Sequence, residues 1–198
     1  MHARRQAKRG GLGAALVLAA VGIGGCATRV EAPQAPIAGH ETRAVTIAVT
    51  VATNARGLPA VSPEVLGDWV GLAAVEFAHA GIELKVASVT YMRSSEARLK
   101  TRRGRRALAA RTDSALPVAF VHGMGPRTRG VWTPREGVVL VSGTAGATTL
   151  SHELGHALGL DHQTDPSNIM CSCQRGASPT FSATQRRHLW AAVGASRF

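Results

Sequence analysis

The chain has 198 residues, 45% of them hydrophobic and 4% aromatic, and its 23 Lys and Arg outnumber its 12 Asp and Glu for a net charge of +11. Three cysteines are too few for a closed four-sulfur metal site, and no internal repeat is present. The positive balance favours anionic partners, but it comes with no recognition motif and no aromatic interleaving, so nucleic acid is not expected.

Arg4, Arg5, Lys8 and Arg9 form a basic start, and Gly11 to Gly25 is an uncharged run rich in Ala, Leu, Val and Gly. This charged-then-apolar order is that of an export signal, and the apolar run is shorter than the roughly 20 residues that span a bilayer. Cys26 follows Ile23-Gly24-Gly25, an aliphatic-small-small-Cys ending that resembles the lipobox of bacterial lipoproteins. The resemblance implies that residues 1–25 are a lipoprotein signal peptide and that Cys26 is acylated, with palmitate among its lipids. The protein would then be exported to the bacterial cell envelope and lipid-anchored to a membrane, the outer membrane or the cell surface. An ordinary secretory signal or a short uncleaved anchor is the alternative. Residues 26–42 hold two prolines and no apolar periodicity and read as a flexible tether, too short for an inhibitory prodomain.

The stretch 43–198 suits one domain with one core. Ala44 to Ala52 alternates β-branched and small residues, the pattern of a strand. Pro63 stands where a helix accepts proline in its first turn; Val65, Leu66, Trp69, Val70, Leu72, Ala73, Val75, Glu76 and Phe77 trace helical spacing, and Gly81 closes the helix. Ile82 to Tyr91 is a second strand. Seven basic residues then fall between Arg98 and Arg111, and setting aside the four at the N-terminus leaves the chain at +7. Such a cluster is drawn to phospholipid head groups, other envelope polyanions or acidic substrates, each contact near a membrane contributing roughly 1 kcal/mol. A solvated arginine-rich helix or loop is the plain alternative. Pro117 to His122 gives a third strand, Gly130 to Pro134 a short extended piece and Val138 to Val141 another strand, before a helix that starts near Ala147.

That helix carries His152-Glu-Leu-Gly-His156-Ala-Leu-Gly159-Leu-Asp-His162. Residues four apart lie one turn apart on one helix face, so His152 and His156 present two imidazoles to one ion, with Glu153 beside it as a general base. Gly159 lets the helix end in the left-handed conformation, and the turned chain returns His162 as third ligand. Asp161 is a rival third ligand, but spacing favours His162. Three nitrogens with an open fourth position define a catalytic rather than a structural zinc site, holding one Zn2+; a structural Ca2+ is left open. Eight residues beyond His162 comes Met170, and Cys171 and Cys173 follow it at a spacing that a disulfide can bridge. Ser182 to Gln185 is a capping-box pattern opening a last, packing helix over Leu189, Trp190 and Val193.

The pattern His-Glu-x-x-His-x-x-Gly-x-x-His followed by a methionine resembles the metzincin zinc peptidases, with Met170 in place of the methionine turn. The resemblance implies an α+β zincin domain in which a twisted mixed β-sheet sits above the active-site helix and a C-terminal helix follows. It implies a monomeric zinc metalloendopeptidase acting on protein or peptide substrates, in which Glu153 moves the proton from water to the leaving amine. Met170 would pack beneath the ligands without binding the metal. The edge strand that receives substrate would be Gly130, Val131, Trp132, Thr133 and Pro134, and residues 171–181 would wall the pocket for the side chain after the cut bond. Loop brevity and order are closest to matrixins, yet Gln163, after the third histidine, is none of the residues associated there with matrixins, astacins, adamalysins or serralysins. The lone tyrosine, Tyr91, is too distant in sequence to serve beside the methionine. Two alternatives from other classes are a non-catalytic binding or scaffold lipoprotein, against which Glu153 argues, and a hydrolase of a non-peptide envelope amide.

Overall fold

The computed structural model describes residues 41–195 apart from 94, 95, 113, 114, 174, 175 and 177. The segment expected to be a signal peptide, Cys26 and most of the expected tether lie outside the described residues. The elements in order are β1 (Arg43–Thr53), α1 (Pro63–Ala78), β2 (Ile82–Arg93), α2 (Glu96–Leu99), α3 (Arg102–Ala109), β3 (Leu116–Val121), β4 (Gly130–Thr133), β5 (Val138–Ser142), α4 (Thr149–Ala157) and α5 (Ala183–Ala195). Among the described residues no helix is long and apolar enough to cross a membrane.

One five-stranded sheet runs β2-β1-β3-β5-β4, parallel throughout except for β4, which returns antiparallel to β5 through a tight hairpin. Strand side chains alternate between faces, and here both faces of the central strands are covered. Val45, Ile47, Val49 and Val51 of β1, with Val118 and Phe120 of β3 and Val139 and Val141 of β5, pack under α1, α4 and α5. Their neighbours Ala52, Ala119, Val121, Val138 and Leu140 face the other way, onto Leu99 of α2 and Leu108 of α3. That is why β3 and β5 read as unbroken apolar runs. β2, at the far edge, leaves Val86, Val89 and Tyr91 exposed.

α1 opens on Ser62, whose hydroxyl accepts from Val65 N–H at 3.3 Å, and buries Leu66, Trp69, Ala73 and Phe77. Phe77 meets Phe181 edge to face at 5.5 Å, tying this helix to the segment before α5. The capping box forms in both directions: Gln185 N–H donates to Ser182 Oγ at 3.3 Å, and Ser182 N–H to Gln185 Oε1 at 2.9 Å.

Two expectations shift at element ends. The active-site helix begins at Thr149 rather than near Ala147, and no side chain caps its N-terminus. Pro134 is not part of the edge strand: β4 stops at Thr133, and Pro134 falls in the hairpin turn closed by Gly137 N–H on Thr133 O at 2.8 Å. Proline has no N–H to give a ladder, so the turn is where the chain accepts it. The basic stretch is helical, in α2 and α3.

Candidate metal centre

The centre is built by how α4 ends. Gly159, at φ +86°, turns the chain so that Leu160 N–H reaches Gly155 O at 2.9 Å and Gly159 N–H reaches His156 O at 3.0 Å. This is the paired-bond helix stop that a left-handed residue allows. It also delivers the Leu160 carbonyl to His156 Nδ1, 2.7 Å away, and brings His162 alongside the two helix histidines.

His152 is held by the segment beyond the loop: its Nδ1 lies 2.7 Å from Ile169 O. A carbonyl only accepts, so both helix imidazoles carry their proton on Nδ1 and leave Nε2 as a bare lone pair. The three Nε2 atoms of His152, His156 and His162 converge at 3.0–3.3 Å from one another. A tetrahedral zinc with bonds of about 2.0–2.1 Å needs nitrogens about 3.3–3.4 Å apart, so the set fits the ion closely. Three imidazoles and no hard oxygen donor suit zinc rather than calcium or magnesium. Among the described residues no other group of three or more His, Cys, Asp or Glu side chains is placed to hold an ion, and Asp161 is not in this one. Burial holds the His156 imidazole below its ordinary range; the Leu160 carbonyl and Asp161 oppose the shift, while neighbouring His162 adds to it. The lowered affinity for a proton keeps the ligand nitrogen available to metal.

The stretch after the third histidine is organised by backbone. Gln163 N–H donates to Met170 O at 2.8 Å and Ser172 N–H to Gln163 O at 3.2 Å, so position 163 acts through its main chain while its side chain is exposed. That explains how a residue unlike those of the named subfamilies is accommodated. Asp165 accepts from Ser167 N–H at 2.9 Å and Ser167 Oγ at 2.8 Å, bonds that hold its carboxyl below the usual range. Asn168, which the sequence did not mark, is the joint. Its Oδ1 accepts from Met170 N–H at 2.9 Å and its Nδ2 donates to Gln185 Oε1 at 2.8 Å, linking the methionine turn to the cap of α5.

Met170 is fully buried below the helix, and Gly155 is what admits it. A Cβ built on Gly155 would stand 2.6 Å from Met170 Sδ and 3.3 Å from its Cε. Gly155→Ala is therefore expected to cost about 1–3 kcal/mol by overpacking, read as a lower denaturation midpoint with unchanged slope.

Glu153 is buried at the floor of a cleft of about 390 Å³ that is also lined by Arg127, Arg129, Gly130, Thr149 and His162. Cys171 and Cys173, which also line it, form a disulfide with Cα atoms 5.1 Å apart. Gly130, the first residue of β4, lies against the glutamate: a Cβ there would be 2.5 Å from Glu153 Oε1 and 2.8 Å from Thr149 Cγ2. Of the expected strand residues, Gly130 thus borders the site, Val131 is exposed beside it, and Trp132 packs onto the core. Arg127 and Arg129 had no signal in the sequence, since loops carry no periodicity, and Thr149 borders the cleft only because α4 begins there. Tyr91 stands on β2, at the opposite edge of the sheet.

A mixed sheet whose one antiparallel strand borders a helix with two zinc-ligand histidines, a glutamate between them and a third histidine past a glycine turn is the fold and metal site of a zinc metallopeptidase of the metzincin type. Residues 75–186 match the Matrixin family. The chain belongs to that family. A comparison with curated protein sequences found no match. Among solved structures it is similar to metalloproteinase-II from Bacteroides fragilis, at 14% identity and a TM-score of 0.51 over 78% of this chain and 55% of that one. It also matches a zinc-dependent peptidase from Methanocorpusculum labreanum at 15% identity and a TM-score of 0.49, covering 71% of this chain and 99% of that one. The first likeness shows the fold, and this chain spans 55% of the length of the Bacteroides fragilis protein.

Proposed function

We propose that the protein is an exported, lipid-anchored endopeptidase that uses one zinc ion and Glu153 to hydrolyse peptide bonds. The observation that carries this reading is the convergence of the three histidine Nε2 atoms, 3.0–3.3 Å apart, beside a buried glutamate that opens to a cleft. β4 is the last strand of the sheet, so its outer edge offers N–H and C=O groups on which an extended substrate adds as a further strand. Such pairing holds a backbone without reading its sequence and carries the substrate past Gly130 to Glu153.

Zinc, when bound, supplies a Lewis acid and lowers the pKa of a water to about 7. Glu153 would take the proton of a water attacking the carbonyl carbon and pass it to the departing amine nitrogen as the C–N bond breaks. The Ile169 and Leu160 carbonyls keep the two helix histidines in the ligating tautomer throughout. Residues 171–173, closed by the disulfide, form a wall of the cleft. Export and anchoring rest on the basic start, the apolar run and Cys26.

The test is metal analysis of the full chain with digestion of a mixed peptide library. The expected result is one zinc per chain, cleavage abolished by a chelator and restored by zinc, and acyl mass on Cys26 after expression in a bacterium. Bound zinc with no peptide cut would replace this reading with a binding role or a non-peptide amide, and absence of zinc would end the site assignment.

A further inference from the structure

The basic helices lie beside the cleft. Glu136, in the β4–β5 turn, has a side chain only 6% exposed and takes both Arg102 Nε at 3.0 Å and Arg105 Nε at 3.4 Å. One carboxylate thus fastens α3 to the hairpin that carries the edge strand and leaves the pair of arginines with an excess positive charge. Arg105 also donates to Lys100 O at 2.8 Å, fixing α2 and α3 to each other. Beside β4 lies an open hollow of about 350 Å³ lined by Lys100, Arg105, Met124, Thr128, Val131 and Leu140.

That hollow meets the metal cleft at Thr128, which lines both. On the cleft side of Thr128 stand Arg127 and Arg129, the latter fixed by bonds to Thr144 O at 2.8 Å and Thr144 Oγ1 at 2.9 Å. Arg127 has no acidic partner among the described residues. Apart from Glu153, neither lining contains a carboxylate. A strand added to β4 sends successive side chains to opposite faces of the sheet. One set enters the metal cleft on the α4 face; the other meets the hollow on the α3 face.

We propose that the enzyme selects peptides with acidic side chains along the segment laid on β4, drawn on the hollow face by the positive charge that Arg102 and Arg105 keep in excess of Glu136 and on the cleft face by Arg127. This rests on the peptidase reading above. The hollow shares Thr128 with the catalytic cleft and is lined by Val131 of β4, so it lies along the path of a strand added there. The charges also raise the local concentration of acidic chains before docking.

Full-chain enzyme is given matched peptides with Glu or Gln at the positions around one cleavable bond. The expected kcat/KM ratio favours the Glu peptide by about tenfold, falling toward one between about 0.05 and 0.5 M salt. In Lys100→Glu/Arg127→Glu the ratio drops to one or below. Equal cleavage of both peptides by the wild type overturns the proposal and leaves the peptidase reading intact, whereas failure to cut either peptide or any library peptide removes that reading and the proposal with it. A preference unchanged in the double variant, which instead loses binding to phosphatidylglycerol vesicles, overturns it in favour of a membrane surface.

Discussion

Glu153→Gln is expected to lower kcat/KM by about 10²–10⁴, the range that a positioned general base supplies, while one zinc per chain is retained. The glutamine keeps the volume of a buried side chain against which Gly130 lies, so the cavity term that truncation would add is absent. It cannot accept the proton of an attacking water. None of the three metal nitrogens belongs to it, and both helix histidines keep their carbonyl partners. Stoichiometric zinc with a thermal midpoint at or above that of the wild type is the control that separates lost chemistry from lost fold. A loss smaller than about tenfold would show that Glu153 is not the base. His156→Ala is the contrasting variant, because removing a ligand takes zinc and activity together.

The metal ligands and Glu153 were legible because one helix and one turn fix them. The histidine spacing is a property of 3.6 residues per turn, and Gly159 announces the bend that returns His162. The apolar runs of β1, β3 and β5 were legible for a similar local reason, since both faces of those strands are covered. What could not be read is what the tertiary arrangement creates. Gln185 was visible as half of a capping box, but its bond to Asn168 joins residues 17 apart and leaves no periodic trace. The seven-residue basic cluster was visible as charge, yet only the hairpin turn at Glu136 places it beside β4. Gln163 looked discordant because a sequence pattern records side chains, and this position works through its backbone. Pro134 was drawn into the strand by its neighbours' extended pattern, and the structure ends the strand at the residue before it.

Gly130→Ala is expected to reduce kcat/KM by about 100-fold without loss of zinc, although glycine to alanine in an edge strand is ordinarily a gain in local propensity. The added methyl would lie 2.5 Å from Glu153 Oε1, 2.6 Å from Glu153 Cγ and 2.8 Å from Thr149 Cγ2, closer than such atoms approach. Either the glutamate swings away from the attacking water or β4 moves outward from α4 and loosens its pairing of Gly130 with Val141. Both displace a reacting group by a distance of order 1 Å, and overpacking adds about 1–3 kcal/mol of destabilisation. A double-mutant cycle separates the two. Glu153→Asp shortens the side chain and draws the carboxylate back from β4, so Gly130→Ala should cost markedly less in that background if the contact with Glu153 is the cause. Equal cost in both backgrounds would place the effect in the strand, and an activity within twofold of wild type would mean that the close approach at Gly130 does not position the base.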